Sequence, residues 1–148
     1  MNHIKKYLSF LSENQDFIVK IDLKKLSQIW NPFESKIWIK VDKPITMEEI
    51  SNSIKNKDFL DVNFKKKMYL VWDESTREEH IQRIAWLVEN YNENYPLDID
   101  FGVPSLGCEF AMEDGNHRLA AAIYLNKPYI LANVCGSQDE IEKFIYKE

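Results

Sequence analysis

The stretch EDGNHRLAAAIYLNKPYILANV, from Glu113 to Val134, constrains the fold more than any other part of the chain. It leaves room for a turn, a helix and a strand with no linker between them. Asp114-Gly115 is turn chemistry, because glycine reaches positive φ without steric cost and aspartate can bond neighbouring amides. Asn116 reads as the N-cap of the helix that follows. RLAAAIYL is a run of strong helix formers, and Asn126 with Pro128 supplies its stop. Tyr129 to Val134 then returns as a strand. The alanines Ala120, Ala121 and Ala122 suit a helix that lies close against a sheet.

A glycine turn running straight into a helix start presents unpaired backbone N–H groups and the positive end of the helix dipole. Such a spot attracts anions. Arg118, in the first turn, is unfavourable for the dipole but offers a fork of donors matched to phosphate or carboxylate. The plainer reading is a capped helix after a tight turn, with His117 hydrogen-bonded in place and Arg118 paired to a surface acid. Both readings stand at this point.

The rest of the chain mixes strands and helices. Ile4 to Leu11 reads as a first helix, and Phe17 to Ile21 as a strand. Ile37, Trp38, Ile39 and Val41 form a second extended piece. Thr46 and Glu49 make a capping-box pattern before a helix to about Lys57, with Ile50 and Ile54 on one face. Met68 to Trp72 is an apolar strand. Ser75 and Glu78 repeat the box before Ile81, Ile84, Ala85, Val88 and Tyr91, the clearest helical stripe in the chain. Leu97, Ile99 and Phe101 alternate with Asp98 and Asp100 in a half-buried strand. Cys108 to Met112 is a short strand entering the turn, and Ser137 with Glu140 gives a third box ahead of Ile141, Phe144 and Ile145. The expectation is one α+β domain over residues 1–148, a mixed sheet packed with helices, with its signature region at 108–134.

A chain of 148 residues with 45% hydrophobic content can build a substantial core. It has no run long and apolar enough for a membrane span and no leader-like N-terminus, so a cytoplasmic protein without membrane partners is expected. Cys108 and Cys135 have no metal-binding spacing and read as buried free thiols. The net charge of −5 disfavours nucleic acid as a partner without excluding a small basic pocket. Lys65, Lys66 and Lys67 read as a solvated loop rather than a phosphate patch.

The segment AMEDGNHRLAAAIYLNKPYILANV resembles the signature of the ParB/sulfiredoxin superfamily: a short strand, a D-G-x-H-R turn, a small-residue helix, and a strand after proline. IVKIDLKKL resembles that family's opening strand and turn, and IQRIAWLVENYNENYPLDIDFG its helix and second strand. The resemblance implies a single ParB/sulfiredoxin-like domain with nucleotide phosphates held at Gly115, Asn116, His117 and Arg118. Members include CTP-hydrolysing DNA clamps, ATP-dependent sulfiredoxins, kinases of free serine and domains assigned as nucleases. Sulfiredoxins carry a cysteine immediately before the His-Arg pair. Asn116 stands there in this chain, so sulfinic-acid repair is not expected. The helix-turn-helix extension of the DNA clamps is likewise not seen in this sequence.

These readings favour an enzyme of phosphoryl transfer or nucleotide hydrolysis, using ATP, ADP or CTP with Mg²⁺ and a small-molecule or protein acceptor. Glu113 or Asp114 would orient the nucleophile or bind the metal, and His117 would donate to phosphate or act as acid/base. Asp98 and Asp100 share a strand face and could be metal ligands, although the pattern alone favours solvent-facing positions of a half-buried strand. Two alternatives remain: a non-catalytic regulatory or protein-binding module, and a ParB-like nuclease acting on DNA. Trp30, Phe33 and Trp38 could form a partner surface but fit a core better. His3, His80 and His117 are too far apart in sequence to signal a metal site.

Overall fold

The computed structural model describes residues 18–38, 41–61 and 75–148. The expected helix at Ile4–Leu11, the three lysines, the strand at Met68–Trp72, Phe17 and Ile39 lie outside them. The described elements are β1 (Ile18–Asp22), α1 (Leu23–Ile29), α2 (Met47–Lys55), α3 (Arg77–Glu89), β2 (Leu97–Asp100), a 3₁₀ turn (Pro104–Leu106), β3 (Ala111–Asp114), α4 (Asn116–Tyr124), β4 (Tyr129–Cys135) and α5 (Gln138–Glu142). The fold is α+β, with a mixed four-stranded sheet among the described residues. No helix among the described residues is long and apolar enough to cross a membrane.

Two compact units divide the chain, and each is assembled from separated segments. The first contains the sheet and, of the described residues, takes in 18–26, Glu93–Gly115 and Pro128–Glu148. Its strand order is β1-β4-β2-β3, with β4 antiparallel to β1 and parallel to β2, and β2 antiparallel to β3. Alternation decides what is buried. Val19 and Ile21, Leu97 and Ile99, and Ile130, Ala132 and Val134 lose their exposure, while the residues between them stay at least partly open. The outer edge of β1 is met by the C-terminal segment: Phe144 accepts from the Asp22 amide at 2.7 Å and the Tyr146 amide donates to Lys20 at 2.9 Å. That pairing covers backbone groups which an open edge would leave to other chains.

Gly102 and Gly136 bring two loops of the sheet unit together. The Ser137 amide donates to the Gly102 carbonyl at 2.8 Å. Gly136 has φ 109°, and a Cβ there would stand 2.7 Å from that carbonyl oxygen, so both conformation and space exclude a side chain.

The second unit lies within Ser27–Asn92 and Asn116–Lys127, and its described elements are helices. Val41, Ile45, Ile50, Ile81, Ile84, Ala85 and Ala120 form its core, with Phe33, Trp38, Ile54, Val88 and Tyr124 packed against them. Trp38 and Val41, expected in a strand, are in no strand and serve this core. Their β-branched and aromatic neighbourhood reflects burial, which strands and core loops share. α2 starts with the expected box, Thr46 accepting from the Glu49 amide and the Glu49 carboxylate accepting from Thr46 N at 2.8 Å. It ends at Lys55, two residues early, where Lys57 takes φ 54°.

The box of α3 lies one residue later than Ser75 and Glu78. Thr76 and Glu79 form it, so Arg77 becomes the first helical residue. Its guanidinium grips both Glu49 oxygens at 2.8 and 2.9 Å and donates to the Lys43 and Pro44 carbonyls at 2.6 and 3.0 Å. This register ties α3 to the start of α2. The third expected box is not made: Ser137 caps α5 without a side-chain hydrogen bond, and Glu140 pairs with Lys143 at 2.7 Å. α5 also stops at Glu142, leaving Ile145 to bridge Ile21.

Candidate functional site

The turn at Asp114 falls where the sheet unit gives way to the helical one in sequence. β3 is displaced from the expected 108–112 and runs to Asp114, because Cys108 is used in a bridge that closes the 103–108 loop. Glu113 and Asp114 therefore end a strand and are exposed, with Asp114 in register opposite Asp98. Gly115 takes φ 106°, the conformation that glycine was expected to supply.

Asn116 is the first residue of α4 rather than its cap. Its side-chain oxygen accepts from the Trp30 indole N–H at 2.8 Å. The aromatic residues at the start of the helical unit thus act internally: Trp30 holds Asn116, and Phe33 and Trp38 pack on the core. The far end of α4 behaves as expected, with Asn126 at φ 54° and the Lys127 amide donating to Ala122 at 3.1 Å.

His117 meets a partner 37 positions away. Its Nε2 lies 2.8 Å from Nδ1 of His80, one nitrogen donating and the other accepting. The centroids are 5.1 Å apart with planes 19° from parallel, so the rings meet almost edge to edge in one plane. Trp38 lies over both, 4.8 Å from the His80 ring and 5.3 Å from the His117 ring. Burial pushes the His80 imidazole down to about 4, with Glu79 pulling the other way. His117 is held well below its ordinary value, first by burial and then by the charges of His80, Arg83 and Arg118. Both rings are neutral at pH 7.

Arg118 sits in the first turn of α4 and is half-buried. On α3, Arg83 reaches towards the Leu60 carbonyl at 3.5 Å and lies over the Trp86 ring at 5.0 Å. Its charge is opposed by burial, supported by Asp61 and opposed again by Arg118. The charge of Arg118 thus bears on Arg83 in the same unit as the start of α4 and the His80–His117 pair.

The carboxylates expected to bind metal belong to the sheet unit. Asp98 accepts from Asn133 Nδ2 at 3.0 Å, and Asp100 accepts from the Gly102 amide at 2.8 Å. They do share a face, as alternation requires, and the same parity places Cys135 beside Asp100. Cys135 is consequently exposed, and so is Cys108, against the expectation of buried thiols. Partial burial and the carboxylates of Asp100, Glu113 and Asp98 push the Cys135 thiol up, which keeps it protonated. Among the described residues no three His, Cys, Asp or Glu side chains gather in a way that could hold a metal ion.

His80 is the participant that sequence reading missed. One signal pointed to it: His80 stands four residues before Ile84, on the buried stripe of α3, so a polar ring was bound to face the core and need a partner. No protein-family model, curated protein or solved structure matches the chain at a significant level.

Proposed function

We propose that the start of α4, from Gly115 through Asn116 and His117 to Arg118, binds a nucleotide by its phosphates, and that the chain is a cytoplasmic ParB/sulfiredoxin-like protein of phosphoryl transfer or nucleotide hydrolysis. The observation that carries this reading is the place of Arg118, half-buried in the first turn of α4 directly after the Gly115 turn, with its charge also opposing that of Arg83. An anion there would relieve repulsion between the two guanidiniums and accept from the first amides of the helix. Gly115 supports it, since positive φ lets the backbone turn directly into that helix.

Mg²⁺ would enter with the nucleotide, held mainly by phosphate oxygens as this ion usually is, since the described side chains offer no cage of their own. Glu113 and Asp114 keep their proposed role of orienting a nucleophile only in the sense that they directly precede the phosphate-binding segment. For His117 the geometry narrows the roles. Its Nε2 is committed to His80, which favours a donor or spacer over a free general base.

That commitment also gives weight to the second reading, a non-catalytic module that binds nucleotide as a signal. The test is the melting temperature with ATP, ADP, CTP and GTP, each with and without Mg²⁺, on wild type and Arg118→Ala. A ligand at about a hundred times its Kd adds roughly 2.7 kcal/mol. We expect a shift with at least one nucleotide that disappears in the variant; no shift with any of them would sink the proposal. Product formed by wild type but not by Arg118→Ala separates the enzyme from the module. Metal-dependent DNA cleavage that fades with salt would mark the nuclease alternative instead.

A further inference from the structure

We infer that the His80–His117 pair under Trp38 is an acid-sensitive latch between α3 and α4, holding the two helices together while it is neutral and releasing them when it is doubly protonated. The inference does not depend on the nucleotide reading. It rests on the edge-to-edge geometry: a single N–H···N bond of 2.8 Å links the helices, roofed by one indole that touches both rings.

The hydrogen bond tolerates one added proton, because N⁺–H···N is still a donor facing an acceptor. A second proton leaves N–H facing N–H with two like charges in contact. Among the described residues the charges felt by the two rings are of mixed sign. On α3, Glu79 favours a charge on His80, while Arg83 opposes one on His117; on α4, Arg118 opposes it too. Asp61 is directed to Arg83, and the α2 carboxylate facing α3, Glu49, is held by Arg77. His80 is also fully buried, so its charge would be desolvated.

The sign follows from linkage. Folded His80 has its affinity for protons depressed from 6.5 to about 4. Stability is therefore fully present above about pH 6.5, where the unfolded ring also is neutral, and is lost as pH falls from there towards 4. For His80 alone the folding equilibrium constant should drop roughly 50- to 100-fold between pH 7.5 and 4.5.

The experiment is chemical denaturation at a series of pH values from 7.5 to 4.5 on wild type and His80→Asn, with imidazole titration followed by NMR on the folded wild type. Asparagine can present a donor or acceptor near the place of Nδ1 and does not titrate. We expect the acid-induced loss in the variant to be at least tenfold smaller than in wild type. In the NMR titration the His80 signal should stay neutral down to pH 5, and the His117 signal should titrate well below its ordinary range. The latch is overturned by a variant whose pH profile matches wild type, or by either ring titrating near pH 6.5 in the folded protein. If His80→Asn does not fold, the NMR titration decides alone.

Discussion

The two units of this chain treat polar groups in opposite ways. In the sheet unit they keep some exposure and find partners on the neighbouring strand, in the adjoining turn or three residues along the chain: Asp98 bonds the Asn133 side chain, Asp100 the Gly102 amide, and Glu140 the Lys143 side chain. In the helical unit polar side chains from separate segments are bonded to one another, His80 to His117 with His80 fully buried, Asn116 to Trp30, and Arg77 to Glu49 in a partly exposed setting. Strand alternation explains the first pattern, because every second residue is turned away from the core whatever its chemistry. Helices bury a stripe, and a polar residue caught on that stripe must find its partner on another element. The sheet unit should therefore be most sensitive at tight backbone positions, and the helical unit at paired side chains.

Gly136→Ala tests the first half and carries the largest expected effect. At φ 109° and 2.7 Å from the Gly102 carbonyl, the new Cβ can be accommodated only by moving the loop from its Ser137–Gly102 hydrogen bond. Strain of this kind costs about 1–3 kcal/mol, and here a clash with backbone is added to it. Denaturant unfolding measures the loss; a variant within about 0.5 kcal/mol of wild type would mean that the loop is not tight, within the usual scatter of surface changes.

Glu49→Gln tests the second half. The change removes the ionic half of the Arg77 grip and weakens the capping box, in a partly exposed setting that screens the charges, so the loss should be roughly 1–2 kcal/mol. The Arg77 hydrogen bonds hold the Glu49 carboxyl below its ordinary value of 4.5. Its contribution is then present above pH 4.5 and is lost as pH falls through the lower folded value. The Glu49→Gln penalty should accordingly shrink in acid; a penalty that is flat with pH would show that packing, not the carboxylate, is what matters.

The same contrast explains what could be read from sequence. The segment 115–134 was legible because its signals are local: Gly115 and Asn126 take the left-handed conformations their types favour, and β4 follows Pro128 directly. The burial of Leu97 and Ile99 was legible from alternation alone. The His80–His117 bond was not, since 37 positions separate two rings that meet only after α3 and α4 pack. The α3 box illustrates a finer limit. Ser75-x-x-Glu78 and Thr76-x-x-Glu79 overlap with equal local merit, and the structure adopts the register that brings Arg77 to Glu49. Cys135 was misjudged because residue type was given more weight than strand parity.

The smallest effect sharpens the comparison furthest. Three sequence patterns announce a capping box, two in the helical unit and one in the sheet unit; the structure builds the first as read, the second one residue later at Thr76 and Glu79, and not the third. Thr46→Ala and Thr76→Ala each remove a side-chain acceptor for an amide at the helix start, 3.2 Å from it in both cases, and should cost about 1 kcal/mol apiece. Ser137→Ala removes no such acceptor. α5 is only five residues long and its start is fixed by the Ser137 amide bonding the Gly102 carbonyl, a contact alanine preserves. The loss at Ser137 should then stay within about 0.3 kcal/mol, at the low end of what surface substitutions do. Equal losses at all three positions would mean that Ser137 caps its helix in solution, and the division between a unit held by backbone geometry and a unit held by side-chain pairs would lose its clearest case.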